Sequence, residues 1–306
     1  MIENNKNNIN LDNQILKLDP NFITGLTESE GSFSILFHKS NKAKFNKNVS
    51  LRYKITMLEN ELELLKMVKS FFNCGVLSQD KNGVIEYGIQ DFSSIKSKVL
   101  PHFLKYPLRG TKHLDFLSFK EAFDIINSKE HLFEEGLLKL DIISKSMNSY
   151  RQFSLANYYF PSHTILNNPD FISLSGYYIN GFIAGDGCLA LNLSDKNFCR
   201  MSLQISQHIN NKLLLYSIAN YFKSPTKVYK HDKNSLQISL SGFKLWQSII
   251  FEHFSLYPLY GSKLLRLNKL FIIREFIKDN QHLMQVGKYR QWRPEYKLQI
   301  KDIWKN

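Results

Sequence analysis

The sequence is poor in the residues that cross-link a chain or hold soft metals. Its 306 residues include three cysteines without a C-x-x-C pair and nine histidines without an H-x-x-x-H spacing. These absences argue against a disulfide framework and give no support to a zinc site, whose ligands normally recur at such spacings. We therefore expect a reducing compartment, and any metal ion must be held by oxygen ligands.

Long apolar runs are also missing, and acidic residues are few. No stretch of about 18 apolar residues predicts a membrane span, and no strongly basic amphipathic helix is evident. Lysine and arginine number 40 against 27 aspartates and glutamates, a net charge of +13, while 43% hydrophobic and 13% aromatic residues argue against disorder. A folded polycation of this kind favours nucleic acid over a membrane as its partner.

The first residues contain neither the apolar core of a signal peptide nor the Arg-rich amphipathic pattern of a transit peptide. We interpret residues 1–18 as a disordered tail. Lysine far outnumbers arginine, and asparagine, isoleucine, phenylalanine and tyrosine are abundant, which is the bias of an AT-rich genome. That bias indicates a gene of an organelle or a mobile element, and so an intracellular protein of a mitochondrion or another organelle.

Two segments of the chain occur twice. The segment ITGLTESEG at 23–31 aligns with INGFIAGDG at 179–187, an offset of 156. The segment HFLKYPLRGTK at 102–112 aligns with HFSLYPLYGSK at 253–263, an offset of 151. Two matches in the same order indicate an internal duplication, in which the first copy holds about five extra loop residues.

Both copies show the same order of predicted elements, α-β-β-α-β-β-α-α, from period-two and helical spacing of apolar residues. After the motif helix, the elements of the first copy are predicted at 32–40, 48–57, 59–72, 75–79, 84–90, 92–104 and 110–126. Those of the second copy are predicted at 188–195, 198–206, 209–222, 226–240, 243–254 and 261–278. The fold class is α+β, with two pseudo-symmetric repeats.

The duplication divides the chain into an N-terminal domain at 19–130 and a C-terminal domain at 171–280. Residues 131–170, which include Pro161, are predicted to be the inter-domain linker. Residues 281–306 form a basic and aromatic extension that has no copy in the first half.

The short motif of each copy predicts a helix with defined ends. Asp19 and Ser175 occupy the N-cap position. Gly31 and Gly187 follow the helices, and we expect both in the left-handed conformation that ends a helix and releases the chain into a strand. The acidic residue before each glycine opposes the partly negative end of the helix dipole, so this end attracts a cation.

The same helices carry small residues that predict how the two acids meet. Each helix has two small residues four positions apart on one face: Gly25 and Ser29, and Gly181 and Gly185. Such faces allow two parallel helices to approach closely. Packed in this way, the helices bring Glu30 and Asp186 together.

Glu30 and Asp186, with the backbone carbonyls of Ser29 and Gly185, form a set of oxygen ligands suited to Mg²⁺, for which Mn²⁺ or Ca²⁺ can substitute. Phosphodiester hydrolysis uses such ions, because one lowers the pKa of the attacking water and another stabilises the leaving oxygen. A single Glu-Gly pair would indicate only a helix end. Its duplication indicates a catalytic pair.

In these residues the chain resembles the monomeric, two-motif LAGLIDADG homing endonucleases over about residues 19–280. The eighth motif position, Glu30 or Asp186, matches the family's metal-binding catalytic acid, whereas the sixth is Glu28 in one copy and Ala184 in the other. The resemblance implies a monomer that cuts a long, imperfectly palindromic DNA site and leaves 3′ overhangs. It also implies that two sheets form a DNA-binding saddle around two central packed helices.

The resemblance implies three further catalytic residues. Lys112 and Lys263, which end the YPLxGxK segments, match a lysine that lies beside the scissile phosphates and orients solvent; the alternative is a solvated lysine at a helix start. Gln207 matches a polar residue near the attacking water, and its counterpart in the first copy is Met57. We therefore expect an asymmetric site that cuts the two strands at different rates.

Strand parity separates an inward apolar face from an outward polar face that suits the major groove. The outward residues of the first copy, which we expect to contact DNA, are Ser34, Leu36, His38, Ser40, Lys42, Asn48, Ser50, Arg52, Lys54, Ser78 and Asp80. Those of the second copy are Ala190, Asn192, Ser194, Lys196, Arg200, Ser202, Gln204 and Gln237, and Lys227 and Lys230 in the lysine-rich loop 227–233 are expected to contact phosphates. Each residue alone also fits an ordinary solvated strand, and it is the set that favours DNA.

Two other functions of the same fold stay open. Proteins that resemble this one can act as maturases that help their host intron RNA to splice, and a third possibility is DNA binding without cleavage. Acidic residues at both Glu30 and Asp186 favour the nuclease, since a pure maturase could lose either. We expect double-stranded DNA as the partner, host intron RNA as the alternative partner, and no membrane.

Overall fold

The computed structural model describes residues 17–41, 45–151, 173–193, 199–224, 228–277, 283–286 and 289–305. Most of the predicted N-terminal tail lies outside these residues, as do four predicted DNA contacts: Lys42, Ser194, Lys196 and Lys227. No helix in the described part of the chain is both long and apolar enough to cross a membrane.

The first repeat has the predicted order of elements. Its helices and strands are α1 (Pro20–Glu30), β1 (Gly31–Lys39), β2 (Lys47–Leu58), α2 (Leu62–Phe72), β3 (Val76–Gln79), β4 (Val84–Ile89), α3 (Phe92–Ser94), α4 (Leu100–Lys105) and α5 (Lys112–Asn127). A π-helical turn, Ile95–Val99, joins α3 to α4, so the two form one continuous helix. A helix outside the predicted order, α6 (Glu134–Lys145), follows.

The second repeat has the same order, which confirms the α+β fold with two pseudo-symmetric repeats. Its elements are α7 (Gly176–Asp186), β5 (Gly187–Leu193), β6 (Cys199–His208), α8 (Lys212–Tyr221), β7 (Tyr229–Lys230), β8 (Ser235–Ser241), α9 (Phe243–Leu245), α10 (Phe251–Leu256) and α11 (Ser262–Ile277). The hairpin β9 (Leu283–Val286) and β10 (Tyr289–Trp292) and the helix α12 (Pro294–Lys305) come last.

Each repeat is built on one antiparallel four-stranded sheet. The strand orders are β1-β2-β4-β3 and β5-β6-β8-β7, the same arrangement twice. In the first sheet Phe33 lies opposite Tyr53, and both side chains are fully buried, whereas the next pair, Ser34 and Arg52, is half-buried on the other face. The predicted inward and outward parity of β1 and β2 is therefore confirmed.

The helices α6 and α12 occupy equivalent places in the two repeats. α6 packs against α5 and β1, and α12 packs against α11 and β5. Each inserts a fully buried aliphatic side chain, Leu140 in α6 and Ile300 in α12. The sequence pattern predicts neither helix, since α6 falls in the predicted linker and α12 in the predicted C-terminal extension.

The two repeats meet along the motif helices α1 and α7. A β-carbon built on Gly25 would lie 1.9 Å from the carbonyl oxygen of Tyr178, and one on Gly181 would lie 2.0 Å from that of Phe22. The two backbones thus touch where each helix has a glycine. This contact confirms that the small residues allow a close helix approach.

The starts of these helices match the prediction in position. Asp19 is the N-cap of α1, and its side chain accepts a hydrogen bond from the backbone N–H of Asn21 (2.8 Å). Ser175 is the N-cap of α7, but its side chain makes no capping hydrogen bond. Only the first helix therefore gains the stabilisation of a side-chain cap.

The predicted left-handed conformation of the glycines that end these helices is wrong. Gly31 (φ −81°, ψ 161°) and Gly187 (φ −76°, ψ 142°) are extended, because each is already the first residue of a strand. Space explains glycine at these positions. A β-carbon would lie 2.5 Å from Cγ2 of Thr27 at the first position and 2.6 Å from Cγ2 of Ile183 at the second.

Candidate active site

Two carboxylates from opposite repeats lie at the end of the interface between the motif helices α1 and α7, which we call the seam. Glu30 and Asp186 are the last residues of α1 and α7, and both are half-buried. A β-carbon on Gly185 would lie 2.8 Å from Cγ of Glu30, so one acid packs against the residue that precedes the other. Burial, and then the charge of Asp186, raises the pKa of Glu30, and burial raises the pKa of Asp186. The site therefore holds negative charge that a cation would stabilise.

A lysine lies beside each carboxylate. Each ammonium group donates to two carbonyl oxygens in the last turns of its own repeat's motif helix: Lys112 to Thr27 (3.0 Å) and Ser29 (3.2 Å), and Lys263 to Ile183 (3.0 Å) and Gly185. Burial lowers the pKa of both lysines, while the neighbouring carboxylates act in the opposite direction. These lysines are half-buried at the acids and are not solvated residues at a helix start.

Gln207 makes the two halves of the site different. Its side-chain nitrogen donates to Oδ2 of Asp186 (2.5 Å), and its oxygen accepts from the side-chain nitrogen of Asn211 (2.8 Å). The equivalent residue in the first repeat, Met57, is buried, and its side chain has no N–H or O–H to donate. The amide thus supports Asp186, and nothing equivalent at position 57 can support Glu30.

Glu28, at the sixth motif position, has a role that the sequence does not reveal. The residue is only 3% exposed, and its Oε2 accepts from the backbone N–H groups of Arg109 (2.7 Å) and Gly110 (2.9 Å) and from the hydroxyl of Tyr178 (3.1 Å). Its Oε1 has no hydrogen-bond partner within the described residues. Glu28 therefore ties α1 to the start of α5 and to the opposite motif helix.

The repeated histidines connect each motif helix to the segment before its lysine. His102 hydrogen-bonds with the hydroxyl of Thr24 (3.2 Å), and His253 with the side-chain oxygen of Asn180 (2.7 Å). Burial lowers the pKa of both imidazoles to about 3. They are neutral structural groups, and the signal for them was their place in both copies of the longer repeat.

The residues at the seam fit a hard divalent cation. Within the described ranges, no group of three or more His, Cys, Asp and Glu side chains is arranged to hold a metal. The available donors are the carboxylates of Glu30 and Asp186 and the carbonyls of Ser29 and Gly185, each of which keeps a second lone pair beside its lysine. A cation such as Mg²⁺ commonly completes so small a set with water and substrate phosphate.

The outward face of the first sheet is polar, as predicted. Strand register places Ser34 opposite Arg52, and Leu36 opposite Ser50. The cations Arg52 and Lys54 both form ion pairs with Glu86 on β4, the second with an Nζ to Oε2 distance of 2.9 Å. Glu86 was not predicted on this face. The remaining described residues predicted on this side are half-buried or exposed: His38, Ser40, Asn48, Ser78 and Asp80.

The outward face of the second sheet is polar but carries fewer charges. Register places Ala190 opposite Ser202, Asn192 opposite Arg200, and Gln204 opposite Ser239. Gln237 donates to the hydroxyl of Ser206 (2.8 Å) and accepts from Tyr229 (2.5 Å), and Arg200 donates to Ser241 (2.7 Å). Amides and hydroxyls therefore dominate this face.

Three of the predicted DNA contacts differ from expectation. Lys230, predicted in a lysine-rich loop, lies in strand β7 opposite Leu236, whereas its neighbour Tyr229 lies opposite Gln237 on the polar face. Ser202 is only 2% exposed, although its register is correct. Asp80 accepts from two backbone N–H groups of the β3–β4 turn, which gives its carboxylate a local structural role.

Solved structures of the same architecture contain DNA. The homing endonuclease I-SmaMI bound to cleaved DNA superimposes with a TM-score of 0.79 at 25% sequence identity, covering 94% of this chain and 96% of that one. I-SmaMI bound to an uncleaved DNA target in the presence of calcium ions gives 0.79 at 24% identity, covering 94% and 98%. The likeness extends over both repeats.

Sequence comparison identifies the family. The chain is 27% identical over 286 residues to the probable intron-encoded endonuclease 3 of Neurospora crassa, covering 90% of this chain and 53% of that protein, so it spans about half the length of this curated relative. The LAGLIDADG endonuclease family model matches residues 23–123 and 179–273, one segment in each repeat. These matches include both motif acids and both lysines, and the chain belongs to the LAGLIDADG endonuclease family.

Proposed function

We propose that this protein is a homing endonuclease that hydrolyses both strands of a specific double-stranded DNA site with divalent metal ions, of which Mg²⁺ is the physiological one. The observation that carries the proposal is the convergence of Glu30 and Asp186, one from each repeat, at a single seam with a lysine beside each. Membership of the LAGLIDADG endonuclease family and the DNA in the I-SmaMI structures support it.

Each group of the seam has a role in this reaction. The carboxylates of Glu30 and Asp186, with the carbonyls of Ser29 and Gly185, are the residues that would hold the metal. A divalent cation bound there supplies a water of lowered pKa and charge compensation for the leaving oxygen. Lys112 and Lys263 bring ammonium donors to the edge of the seam, where they stabilise phosphate oxygens and orient water. Gln207 keeps Asp186 oriented from one side.

DNA recognition would use the two polar sheet faces in the major groove. One continuous saddle of this kind reads a long site with a single chain, so we propose that the enzyme acts as a monomer. The two faces carry different side chains, which suits an imperfectly palindromic target. Phosphate contacts from lysine-rich loops make the binding sensitive to salt, and staggered cleavage leaves 3′ overhangs.

The genetic setting follows from the same proposal. The Neurospora relative is named as intron-encoded, and the composition of this chain is that of an AT-rich genome. We place the gene in a mobile intron of an organelle, most simply a mitochondrion. The target is then the uninterrupted sequence formed by joining the DNA on either side of the intron.

The test is cleavage of a plasmid that carries this joined sequence, with and without Mg²⁺. We expect a double-strand break with 3′ overhangs that requires the metal. The double variant Glu30→Gln, Asp186→Asn should bind the site but cut it at least about 10³-fold more slowly. Glu63→Gln is the matched control, since Glu63 is exposed on α2 and pairs with Lys66.

Two results would contradict the proposal. Unchanged cleavage by the double variant would remove the carboxylates from the mechanism. Intact DNA in every assay, together with faster splicing of the host intron RNA in the presence of the protein, would favour the maturase.

A further inference from the structure

At the start of each helix that carries an active-site lysine, a backbone N–H group donates a hydrogen bond to a side chain of the opposite repeat. The backbone N–H of Thr111, before α5, donates to Oδ1 of Asn211 (2.9 Å). The backbone N–H of Ser262, the first residue of α11, donates to Oε2 of Glu61 (3.0 Å), and the Ser262 hydroxyl donates to the same carboxylate. Thr111 and Ser262 immediately precede Lys112 and Lys263, so each contact is adjacent to a lysine.

Glu61 and Asn211 hold equivalent positions in the two repeats. Glu61 ends the short 3₁₀ turn before α2, and Asn211 ends the same turn before α8. The two residues are 6% and 7% exposed, so both polar groups are largely removed from water. An unpaired polar group in such a place would be costly, which makes the two contacts specific.

The glycine of each YPLxGxK segment makes room for these side chains. A β-carbon on Gly261 would lie 2.2 Å from Oε2 of Glu61, and one on Gly110 would lie 2.8 Å from Oδ1 of Asn211. Gly261 also has a φ of +80°, which favours glycine independently. At Gly110 the β-carbon would also lie 2.7 Å from Oε1 of Glu28, so the opposite repeat explains the glycine at 261 and shares that role with Glu28 at 110.

At the start of each lysine helix a buried glutamate accepts hydrogen bonds from backbone N–H groups, but the two glutamates come from different places. At α5 it is Glu28, from the motif helix of the same repeat, which accepts from Arg109 and Gly110. The second repeat has Ala184 at that motif position, and Glu61 of the first repeat supplies the carboxylate for α11 instead. In both cases the negative charge meets the partly positive end of a helix.

Asn211 has a second contact that Glu61 does not reproduce. Its side-chain nitrogen donates to the oxygen of Gln207, whose nitrogen donates to Asp186. The side-chain amides of Asn211 and Gln207 therefore join the start of α5 to the carboxylate of Asp186 on α7.

We propose that Glu61 and Asn211 are positioning residues for catalysis. Glu61 aligns Lys263, and Asn211 aligns Lys112 while it also holds Gln207 against Asp186. Neither repeat then contains a complete half of the active site. This inference rests on the proposed nuclease function, and it adds that each half is assembled by the other.

The test is a double-mutant cycle on single-turnover cleavage of DNA labelled separately on its two strands. Glu61→Ala should slow the strand whose rate depends most on Lys263 by roughly 10- to 100-fold, the range typical of residues that orient a catalytic group, with DNA affinity unchanged. In a Lys263→Met background the same change should have little further effect, because Glu61 acts through that lysine. In a Lys112→Met background it should keep its full effect.

Further variants test Asn211 and the chemical requirement at Glu61. In the Lys112→Met background, Asn211→Ala should slow cleavage less than in the wild type. The part of its effect that acts through Lys112 is then gone, and only the part transmitted through Gln207 remains. Glu61→Gln should recover much of the rate, since an amide oxygen still accepts from the Ser262 N–H. Glu63→Ala, an exposed glutamate on α2, is the control expected to cut like the wild type.

Amide hydrogen exchange provides a measurement that does not depend on cleavage. Glu61→Ala should raise the exchange rate of the Ser262 amide and leave that of Thr111 unchanged, and Asn211→Ala should do the reverse. An equal Glu61→Ala penalty in both lysine backgrounds, or unchanged exchange at Ser262, would overturn the inference. Absence of cleavage by the wild type would instead refute the proposed nuclease function. Amide hydrogen exchange would still decide whether Glu61 and Asn211 make these contacts.

Discussion

The two repeats have the same backbone order around the seam but distribute their polar groups differently. The first repeat places Glu28 and Glu61 in buried positions where the second has Ala184 and Asn211. Yet at the start of each lysine helix a buried glutamate accepts hydrogen bonds from backbone N–H groups. The comparison teaches that the geometry of the centre is symmetric while the groups that maintain it are not.

The sheet faces differ in a similar way. The first carries Arg52 and Lys54 paired with Glu86, whereas the second carries the neutral chain of Tyr229, Gln237 and Ser206. Ion pairs and amides present different donors and acceptors to a base edge. Two halves of one binding site read by these faces should therefore have different sequences.

The largest effect should come from disrupting a feature that both repeats share, the close contact of α1 and α7 at Gly25 and Gly181. Gly25→Ala places a β-carbon on the carbonyl oxygen of Tyr178, and neither backbone can yield without separating the helices. We expect a loss of more than about 4 kcal/mol in the free energy of unfolding, or failure to fold. Urea unfolding measures it.

Gly88→Ala is the matched control for that change. Its β-carbon would meet nothing nearer than Nε of Arg52 at 3.6 Å, so stability should change by no more than about 1 kcal/mol. Equal stability of both variants would show that the helices do not touch at Gly25.

A smaller effect should follow from making the two acids alike. Gln207→Met removes the amide that donates to Asp186 and leaves a methionine, as at the equivalent position 57. One strand should then be cut roughly 10- to 100-fold more slowly. The other strand should keep its rate within about threefold. Strand-labelled, single-turnover cleavage measures both rates, with Gln299→Met, exposed on α12, as the control. Slowing of both strands by one factor would contradict a role confined to Asp186.

The smallest effect concerns the paired histidines, which the two repeats share. The pKa of His102 and His253 is about 3 in the folded protein against an ordinary 6.5. As the pH falls, these histidines are therefore protonated in the unfolded chain before they are protonated in the folded protein. Their contribution to the free energy of unfolding is fully present above pH 6.5 and is lost as the pH falls toward 3. From pH 7.5 to 5.5 each histidine should cost about 1 kcal/mol.

Urea unfolding of His253→Gln at both pH values isolates one of these contributions. The variant should lose less stability than the wild type over this range, whereas His231→Gln, an exposed histidine, should lose as much. Identical losses in all three proteins would mean that His253 accepts a proton in the folded state.

Local sequence patterns predicted much of this molecule. Apolar periodicity and the two duplicated segments were sufficient for the order of elements, and the motif ends indicated Glu30 and Asp186. The family resemblance added Lys112, Lys263 and Gln207, which lie beside these acids in the structure. Such features depend on residues a few positions apart.

The features that were missed depend on distant parts of the chain or on a one-residue choice of register. Glu61 and Ser262 are 201 positions apart, and no local pattern connects them. Lys230 faces away from the polar side because its neighbour Tyr229 pairs with Gln237, and the lysine-rich composition of 227–233 does not indicate that register. The extended Gly31 needed the position of Thr27, which only the folded helix provides.

The most direct test of the central claim is the position of a bound metal. Crystals of the enzyme with its DNA site and Mn²⁺, measured at the manganese absorption edge, would locate the ion by anomalous scattering. The account predicts a peak between the carboxylates of Glu30 and Asp186 that disappears in the Glu30→Gln, Asp186→Asn variant. A peak elsewhere, or one that persists in the variant, would contradict it.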